Sequence, residues 1–455
     1  MKFSLGFLIL AAGKGTRMHS DQPKVLQSIL GKPLLGHVFD ALQRVSNDRI
    51  WTIIGHKAEM VRAAFESENR QFVVQREQLG TGHALAVAWP QIQAAKLDFL
   101  CVVNGDTPVV PLETVEHLAR RCHDSSAGMG FVSISLENPS GYGRVIRSDS
   151  GDVLGIVEEK DFDRSIRGDI REVNSGIYVF DVAKCGPLLG KIDQNNAQRE
   201  FYITQMLELC IQSGLPVIGV EYDRPQDLLG VNSPRELVDR EAALRETLVT
   251  AWQTSGVIIR NAQGVFIGPD VVLEPGVEIM GPCEIYGRSH IGHGTRIASH
   301  CWIKDASLRA CQVKSFSHIE GAVVHDDSVV GPFARLRPGA VIGAKARVGN
   351  FVEVKNTVLH EGAKAGHLSY LGDSDIGQGV NIGAGTITCN YDGARKHRTE
   401  IKDGAFIGSN TALVAPVVVG AHAVVGAGSV VTKAVPDGAL CVARARQANL
   451  ERKNK

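Results

Sequence analysis

The sequence predicts an α/β Rossmann-like domain followed by a parallel β-helix. Two patterns carry this prediction. Short apolar runs alternate with helical patterns over residues 1–228, and aliphatic residues recur at every sixth position from residue 267 onward. The sixfold series reads Ile267, Leu273, Ile279, Ile285, Ile291, Ile297 and Ile303, then Val330, Leu336, Ile342, Val348 and Val354, then Ile407, Leu413, Val419, Val425 and Val431. A helix repeats at 3.6 residues and a strand at 2, so neither accounts for the spacing. A hexapeptide solenoid does, because each short strand sends one aliphatic side chain into the shaft.

The elements follow in order. Gly6–Leu10, Ile50–Ile54 and Phe99–Val103 are apolar runs bounded by Gly, Asn or Asp, which suits buried parallel strands. Residues 34–45 and 114–121 carry helical patterns between them. Ser233, Pro234 and Glu236 form a helix start, with a cap, a first-turn proline and a capping-box acid. The helix-forming run to Trp252 reads as a connector. The expected organisation is therefore a domain over 1–228, a linker helix over 229–254, and the β-helix with a C-terminal tail over 255–455. The sixfold register slips around residues 308–324, where a bulge or small loop is expected. It lapses across the polar segment Cys389–Arg398, which must leave the coil as a loop.

Composition excludes several classes of function. A chain of 455 residues exceeds one hydrophobic core. Aromatics are only 6% of it, which fits slim coils filled with Ile and Val. Formal net charge is zero, so no nucleic-acid partner is indicated. The basic end Glu451–Lys455 is short and reads as a solvated terminus. Nine scattered cysteines without C-x-x-C spacing argue for free thiols in a reducing compartment. No signal peptide and no apolar stretch of membrane-spanning length is present, so the expected location is cytoplasmic.

Two groups of residues stand out as candidate sites. In Leu10-Ala11-Ala12-Gly13-Lys14-Gly15-Thr16-Arg17-Met18 the glycines follow the first strand, so backbone N–H groups can face phosphate oxygens. The turn fits neither G-x-G-x-x-G nor a Walker A loop. Arg17 and Lys24 add positive charge on the same side. Asp106, after the strand ending at Val103, lies at the carboxyl edge of a parallel sheet, where Mg²⁺ bound to phosphates is held. In the solenoid, Glu353 and Lys355 flank the inward Val354 and so face out. Polar residues of 364–370, 381–386 and 390–391 gather on adjacent coils beside the ejected loop.

The residues Leu10–Met18, Pro23–Leu26, Gln78–Ala84, Gly105-Asp106, Gly141–Arg144 and Val173–Gly176 resemble the sugar nucleotidyltransferases. With the hexapeptide region added, the chain resembles a bacterial family that joins a glucosamine-1-phosphate acetyltransferase to an N-acetylglucosamine-1-phosphate uridyltransferase. The resemblance spans nearly the full length. It implies that Leu10, Ala11, Ala12 and Gly13 bind UTP, with Lys24 on its phosphates. Gln75, Gly80 and Thr81 would read uracil. Asp106 and Asn232 would hold Mg²⁺. Gly143, Glu158 and Asn174 would hold the amino sugar. Asn104 and Gly105 belong to the same set, and Asn104 stands where well-known relatives carry Tyr.

In the second domain the resemblance implies His367 as the general base, a role that suits an imidazole titrating near neutrality. Arg337 and Lys355 would bind the sugar phosphate, and Tyr370 and Asn381 the sugar. Ala384, Asn390, Tyr391, Ser409, Ala427 and Arg444 would contact acetyl-CoA, with Ser409 a candidate oxyanion donor. Arg395, Lys396 and Arg398 read as a solvated charge run, with CoA phosphates as the alternative partner. A left-handed β-helix, a homotrimer with sites between shafts, and a product used in cell-wall and lipopolysaccharide synthesis are further implications. Two rivals predict less. A single-activity pyrophosphorylase with a structural or regulatory β-helix would not need His367, Lys355 and the Asn390-Tyr391 loop together. A non-catalytic interaction protein would not need the Gly13–Arg17 turn, Lys24 and Asp106.

Overall fold

A computed structural model describes residues 3–46, 48–66 and 70–450, so the basic end at 451–455 lies outside the described residues. The chain divides into two units, Met1–Ala243 and Leu244–Lys455.

The first unit is built on a twisted sheet. Its strands run in the order Val217–Glu221, Met129–Ser135, Glu172–Asp181, Phe99–Asn104, Leu5–Ala11, Ile50–Ile54 and Gln71–Val74. All neighbours are parallel except Glu172–Asp181, which runs antiparallel to both of its partners. The three apolar runs expected to be strands are central ones, nearly every residue buried, as continuous apolar runs should be in a sheet covered on both faces. Helices cover both faces over two apolar layers. Leu34–Gln43 and Leu112–Asp124 are the helices expected between the strands.

The connecting helix spans Pro234–Thr254, and the division between units falls inside it. Its first half belongs with the sheet: the Leu30 backbone N–H donates to Glu241 at 2.8 Å. Its second half belongs with the solenoid: Val249 joins the shaft core, and the Arg245 guanidinium donates to the Gln263 carbonyl at 2.5 Å. The capping box forms with a shift. Glu236 N–H donates to Ser233 Oγ at 3.3 Å, but the Glu236 carboxylate accepts from the Asn232 N–H at 2.6 Å, one residue earlier than the motif requires.

The second unit is a three-faced prism. Its strands form three parallel sheets of eleven, ten and nine members, each strand pairing with the one a coil away. Every residue of the sixfold series points into the shaft and is at most 3% exposed. One buried side chain per face per coil makes a continuous aliphatic column, so no coil can close its core alone. The slip over 308–324 is absorbed by turns rather than by a bulge or loop. Inward residues Ile303, Leu308, Val313, Ile319 and Val324 are five or six positions apart, and the five-residue steps bend through Asp305, Ala310 and Gly321 at positive φ. The segment Asn390–Arg398 leaves the coil, held by an antiparallel bridge between Tyr391 and Lys396. None of the nine cysteines is in a disulfide.

Candidate functional sites

In the first unit, two adjoining cavities meet at the carboxyl edge of the sheet. The larger, of about 600 Å³, is lined by the glycine turn from Leu10 to Thr16 and by Lys24, Gln75, Gly80 and Thr81. The smaller, of about 210 Å³, is lined by Gly143, Glu158, Asn174, Tyr178 and Asn232, among others. Leu10, Thr81, Asn104 and Asp106 line both, so the two spaces share a wall.

The glycine turn supplies room as well as N–H donors. A Cβ placed on Gly13 would meet no atom within 4 Å, so the space above that backbone is open. Gly80 has φ +113°, and a Cβ there would stand 2.5 Å from the Phe201 carbonyl oxygen, so only glycine fits. Gln75 is buried, and its amide nitrogen donates to the Gly80 carbonyl at 3.1 Å, which leaves the side-chain oxygen as an acceptor at the cavity wall. Gly105 lines neither cavity. Its N–H donates to the Leu10 carbonyl at 2.9 Å, and that bond sets Asp106 beside the turn. Arg17 is exposed on the same turn and lines neither cavity wall.

At the shared wall, the Asp106 carboxylate pairs with the Lys24 ammonium, which also donates to Asn232 Oδ1 at 3.1 Å. Asn232 arrives from far along the chain, tethered by Val231 N–H to the Asp106 carbonyl and by the capping contact with Glu236. One carboxylate and one amide oxygen thus converge on a cation. Among the described residues no cluster of three or more His, Cys, Asp or Glu could hold a metal. Two hard oxygen donors suit Mg²⁺, which keeps most of its shell for water and phosphate oxygens.

The smaller cavity is unusually polar. Burial raises the Glu158 carboxyl above the ordinary range, against the opposing donation from Thr204 Oγ1 at 3.0 Å. Asn174 donates to the Tyr178 hydroxyl at 2.6 Å and accepts from the Gly176 N–H at 3.0 Å. Asn104 packs against Gly176, where a Cβ would lie 2.2 Å from the Asn104 amide nitrogen.

In the second unit, the register of one edge places the candidates in a line. Asn350, His367, Ala384, Ser409 and Ala427 each follow by two residues a member of the paired series Val348, Ala365, Ile382, Ile407 and Val425. Arg444 closes the line, its guanidinium donating to the Ala427 carbonyl at 2.6 Å. His367 is exposed, and its Nδ1–H donates to Asn350 Oδ1 at 2.5 Å. That bond leaves Nε2 as the basic nitrogen.

The adjoining face carries Arg335, Glu353 and Tyr370 in register on successive coils. Arg337 Nη1 donates to Glu353 at 3.0 Å. Lys396, from the ejected loop, is held below the usual lysine range by Lys355 beside it. Two ammonium groups set together favour an anion between them. Arg398 does pair with a carboxylate, Asp375, at 2.7 Å. Asn390 is buried and donates to Asp373, so it anchors the loop, while Tyr391 is exposed. Asn381 lies on the His367 face, paired with Lys364.

Asn350 and Asp373 escaped the sequence reading. Asn350 was findable, because it stands 17 residues before His367, one coil of the shaft.

Residues 7–155 match the MobA-like NTP transferase domain family, and residues 321–356 and 398–433 match the bacterial transferase hexapeptide family, six repeats. That match and the parallel sheets are consistent with a left-handed β-helix. Three relatives, each named "Bifunctional protein GlmU", align over nearly the whole chain. The protein of Oleidesulfovibrio alaskensis is 53% identical over 453 residues, covering 99% of this chain and 98% of that one. The protein of Nitratidesulfovibrio vulgaris strain DP4 is 53% identical over 457 residues, covering 100% of both. The protein of Pseudomonas entomophila is 44% identical over 457 residues, covering 98% and 97%.

Proposed function

The chain belongs to the GlmU family of bifunctional proteins, and on that premise we propose how its two units divide the chemistry. The protein is a nucleotidyltransferase and an acetyltransferase that makes UDP-N-acetylglucosamine. It acetylates glucosamine-1-phosphate from acetyl-CoA, then transfers uridylyl from UTP to N-acetylglucosamine-1-phosphate.

The uridylyl reaction belongs in the paired cavities of the first unit. A phosphate oxygen of the sugar phosphate attacks the α-phosphorus of UTP, the bond to the β-phosphate's bridging oxygen breaks, and pyrophosphate leaves. No protein nucleophile is required, so positioning and charge do the catalysis. Leu10 to Gly13 cradle the triphosphate. Gln75 Oε1 accepts from the uracil N3–H, while Gly80 and Thr81 complete the base pocket. Lys24 moves from Asp106 to the phosphates. Glu158, Asn174 and the Gly143 backbone take the sugar. Asp106 and Asn232 would hold Mg²⁺, which when bound neutralises phosphate charge.

The acetyl reaction belongs on the solenoid edge. The sugar amine attacks the thioester carbonyl, His367 Nε2 takes the amine proton, and the C–S bond breaks. The departing CoA sulfur then receives a proton from the imidazolium. Arg337, Lys355 and Lys396 hold the sugar phosphate, with Tyr370 and Asn381 on the ring. Ala384, Ser409, Ala427 and Arg444 form a track for the long CoA chain, with Asn390 and Tyr391 at its lip. The Ser409 hydroxyl is the candidate donor to the thioester oxygen.

The reading includes a homotrimer in the cytoplasm. An exposed aromatic ladder supports the assembly: Phe316, Phe333 and Phe351 stack at centroid distances of 4.8 and 5.3 Å, one per coil, and remain about half exposed. Leu368 continues the ladder beside His367 and is 61% exposed. A patch of this kind on a shaft calls for a partner, and a second shaft supplies one. No helix among the described residues is long and apolar enough to cross a membrane, and nine unpaired cysteines fit a reducing compartment.

The observation that carries the division is that Lys24, Asp106 and Asn232 converge in one unit while His367 and its line of neighbours lie in the other. Purified protein given acetyl-CoA and glucosamine-1-phosphate should release thiol. Given UTP, Mg²⁺ and N-acetylglucosamine-1-phosphate, it should release pyrophosphate. Pyrophosphate release without thiol release would reduce the solenoid to a scaffold.

A further inference from the structure

We propose that Asn350 is a positioning residue for the acetyl-transfer base: it fixes the tautomer and the orientation of the His367 ring. The proposal rests on the assignment of His367 as that base.

The backbone around the pair is pinned from several directions. The strand Arg347–Asn350 pairs in parallel with Lys364–His367, and Asn350 stands directly opposite His367. The Leu368 N–H donates to the Asn350 carbonyl at 3.1 Å, and the Phe351 N–H donates to the Phe333 carbonyl at 3.0 Å. Phe351 and Leu368 both turn the corner at positive φ, 56° and 50°. On the other side, a Cβ on Gly349 would lie 1.9 Å from the Gly366 carbonyl oxygen, so the two coils touch backbone to backbone. Neither side chain's attachment point can drift, and the 2.5 Å bond between Asn350 Oδ1 and His367 Nδ1 is fixed by the coil spacing.

The chemistry of the partner matters. An amide oxygen accepts the Nδ1 proton and so keeps Nε2 unprotonated and aimed outward, without adding a negative charge. A carboxylate would do the same but would also favour the imidazolium. The other charged groups on this strand and the one before it are cationic, Lys364 and Arg347, while Glu353 is engaged by Arg337 on the next face. The amide therefore orients the base without itself adding a negative charge. Loss of the orienter should depress turnover rather than binding, because proton removal occurs only as the amine attacks.

The test compares full-length His367→Ala, Asn350→Ala and Asn350→Asp, measuring thiol release with both acetyl substrates varied, and pyrophosphate release as the integrity control. Asn350→Ala should lose about 10- to 100-fold in kcat, with both KM values within about twofold. Asn350→Asp should recover most of the turnover and move the acid limb of the kcat profile to higher pH. Uridylyl transfer should not change in any of them. The proposal is overturned if Asn350→Ala keeps kcat within twofold, or if its loss lies in KM, or if Asn350→Asp leaves the pH profile in place. Retention of thiol release by His367→Ala would instead sink the assignment of the base itself, and the two failures are thereby told apart.

Discussion

The two units face a common task, to hold a sugar phosphate against an activated donor, and they do it with opposite geometries. In the first unit the site is concave and its parts come from distant segments. Lys24 meets Asp106 and Asn232 across 82 and 208 residues of chain. In the second the site is laid out on an outer edge, and its parts come from neighbouring coils, Asn350 and His367 being 17 residues apart. The sheet gathers groups by strand order and encloses them in cavities. The prism gathers them by repetition and leaves them exposed. A cleft can build strong fields around phosphate charge in a partly dry space. A repetitive edge instead provides a long ruled track, which suits a ligand as extended as CoA.

The sharpest way to break this comparison is to disable one centre and read both activities. His367→Ala should lower acetyl transfer by about 10²- to 10⁴-fold, the usual worth of a positioned general base, and leave pyrophosphate release within twofold. Asp106→Ala should lower uridylyl transfer by about 10²- to 10³-fold, as for loss of one charged transition-state contact, and spare thiol release. Cross-talk in either assay would mean that the centres are not separate.

A third variant tests the contrast in packing. Leu336 is fully buried in the shaft, and Leu336→Ala should cost about 2–5 kcal/mol there. Because each coil is braced only by its neighbours, that loss should appear as a lower melting transition of the solenoid and a shorter lifetime of acetyl transfer on heating. The transition of the sheet unit should stay where it is. A single transition displaced as a whole would show that the two units unfold together.

The same contrast explains what could be foreseen from the chain. The solenoid was legible because its rule is arithmetic: the inward residues of the three sixfold runs followed from a count of six, and the expulsion of 389–398 followed from where the count failed. The slip near 308 was assigned to a bulge or small loop because a five-residue turn through Asp305 or Ala310 leaves no compositional mark. In the sheet unit, local signals located the glycine turn and the three central strands. They did not reveal the antiparallel Glu172–Asp181, since strand direction is a tertiary property. Lys24 and Asp106 were readable as candidates, but their contact was not. Asn232 was reachable only through resemblance, although the cap on the following helix is what holds it.

The smallest expected effect concerns Glu158, and it separates substrate binding from stability in one residue. Burial holds its folded-state pKa above the unfolded value, so the fold disfavours the ionised form. Its contribution to stability is therefore fully present below the unfolded pKa and is lost as pH rises through the folded one. Glu158→Gln removes that liability. At pH 7 the variant should melt higher than the parent, and below about pH 4, where the parent carboxyl is protonated in both states, the two should converge. The same change removes a charged acceptor from the sugar pocket, so the KM for N-acetylglucosamine-1-phosphate should rise about tenfold, near the lower value of a charge-assisted hydrogen bond, with the KM for UTP unmoved. Calorimetry across pH and initial rates of pyrophosphate release check both halves. A pH-independent difference in melting would mean that the carboxyl is not strained by burial. A rise in the UTP constant would mean that the smaller cavity is not the sugar's.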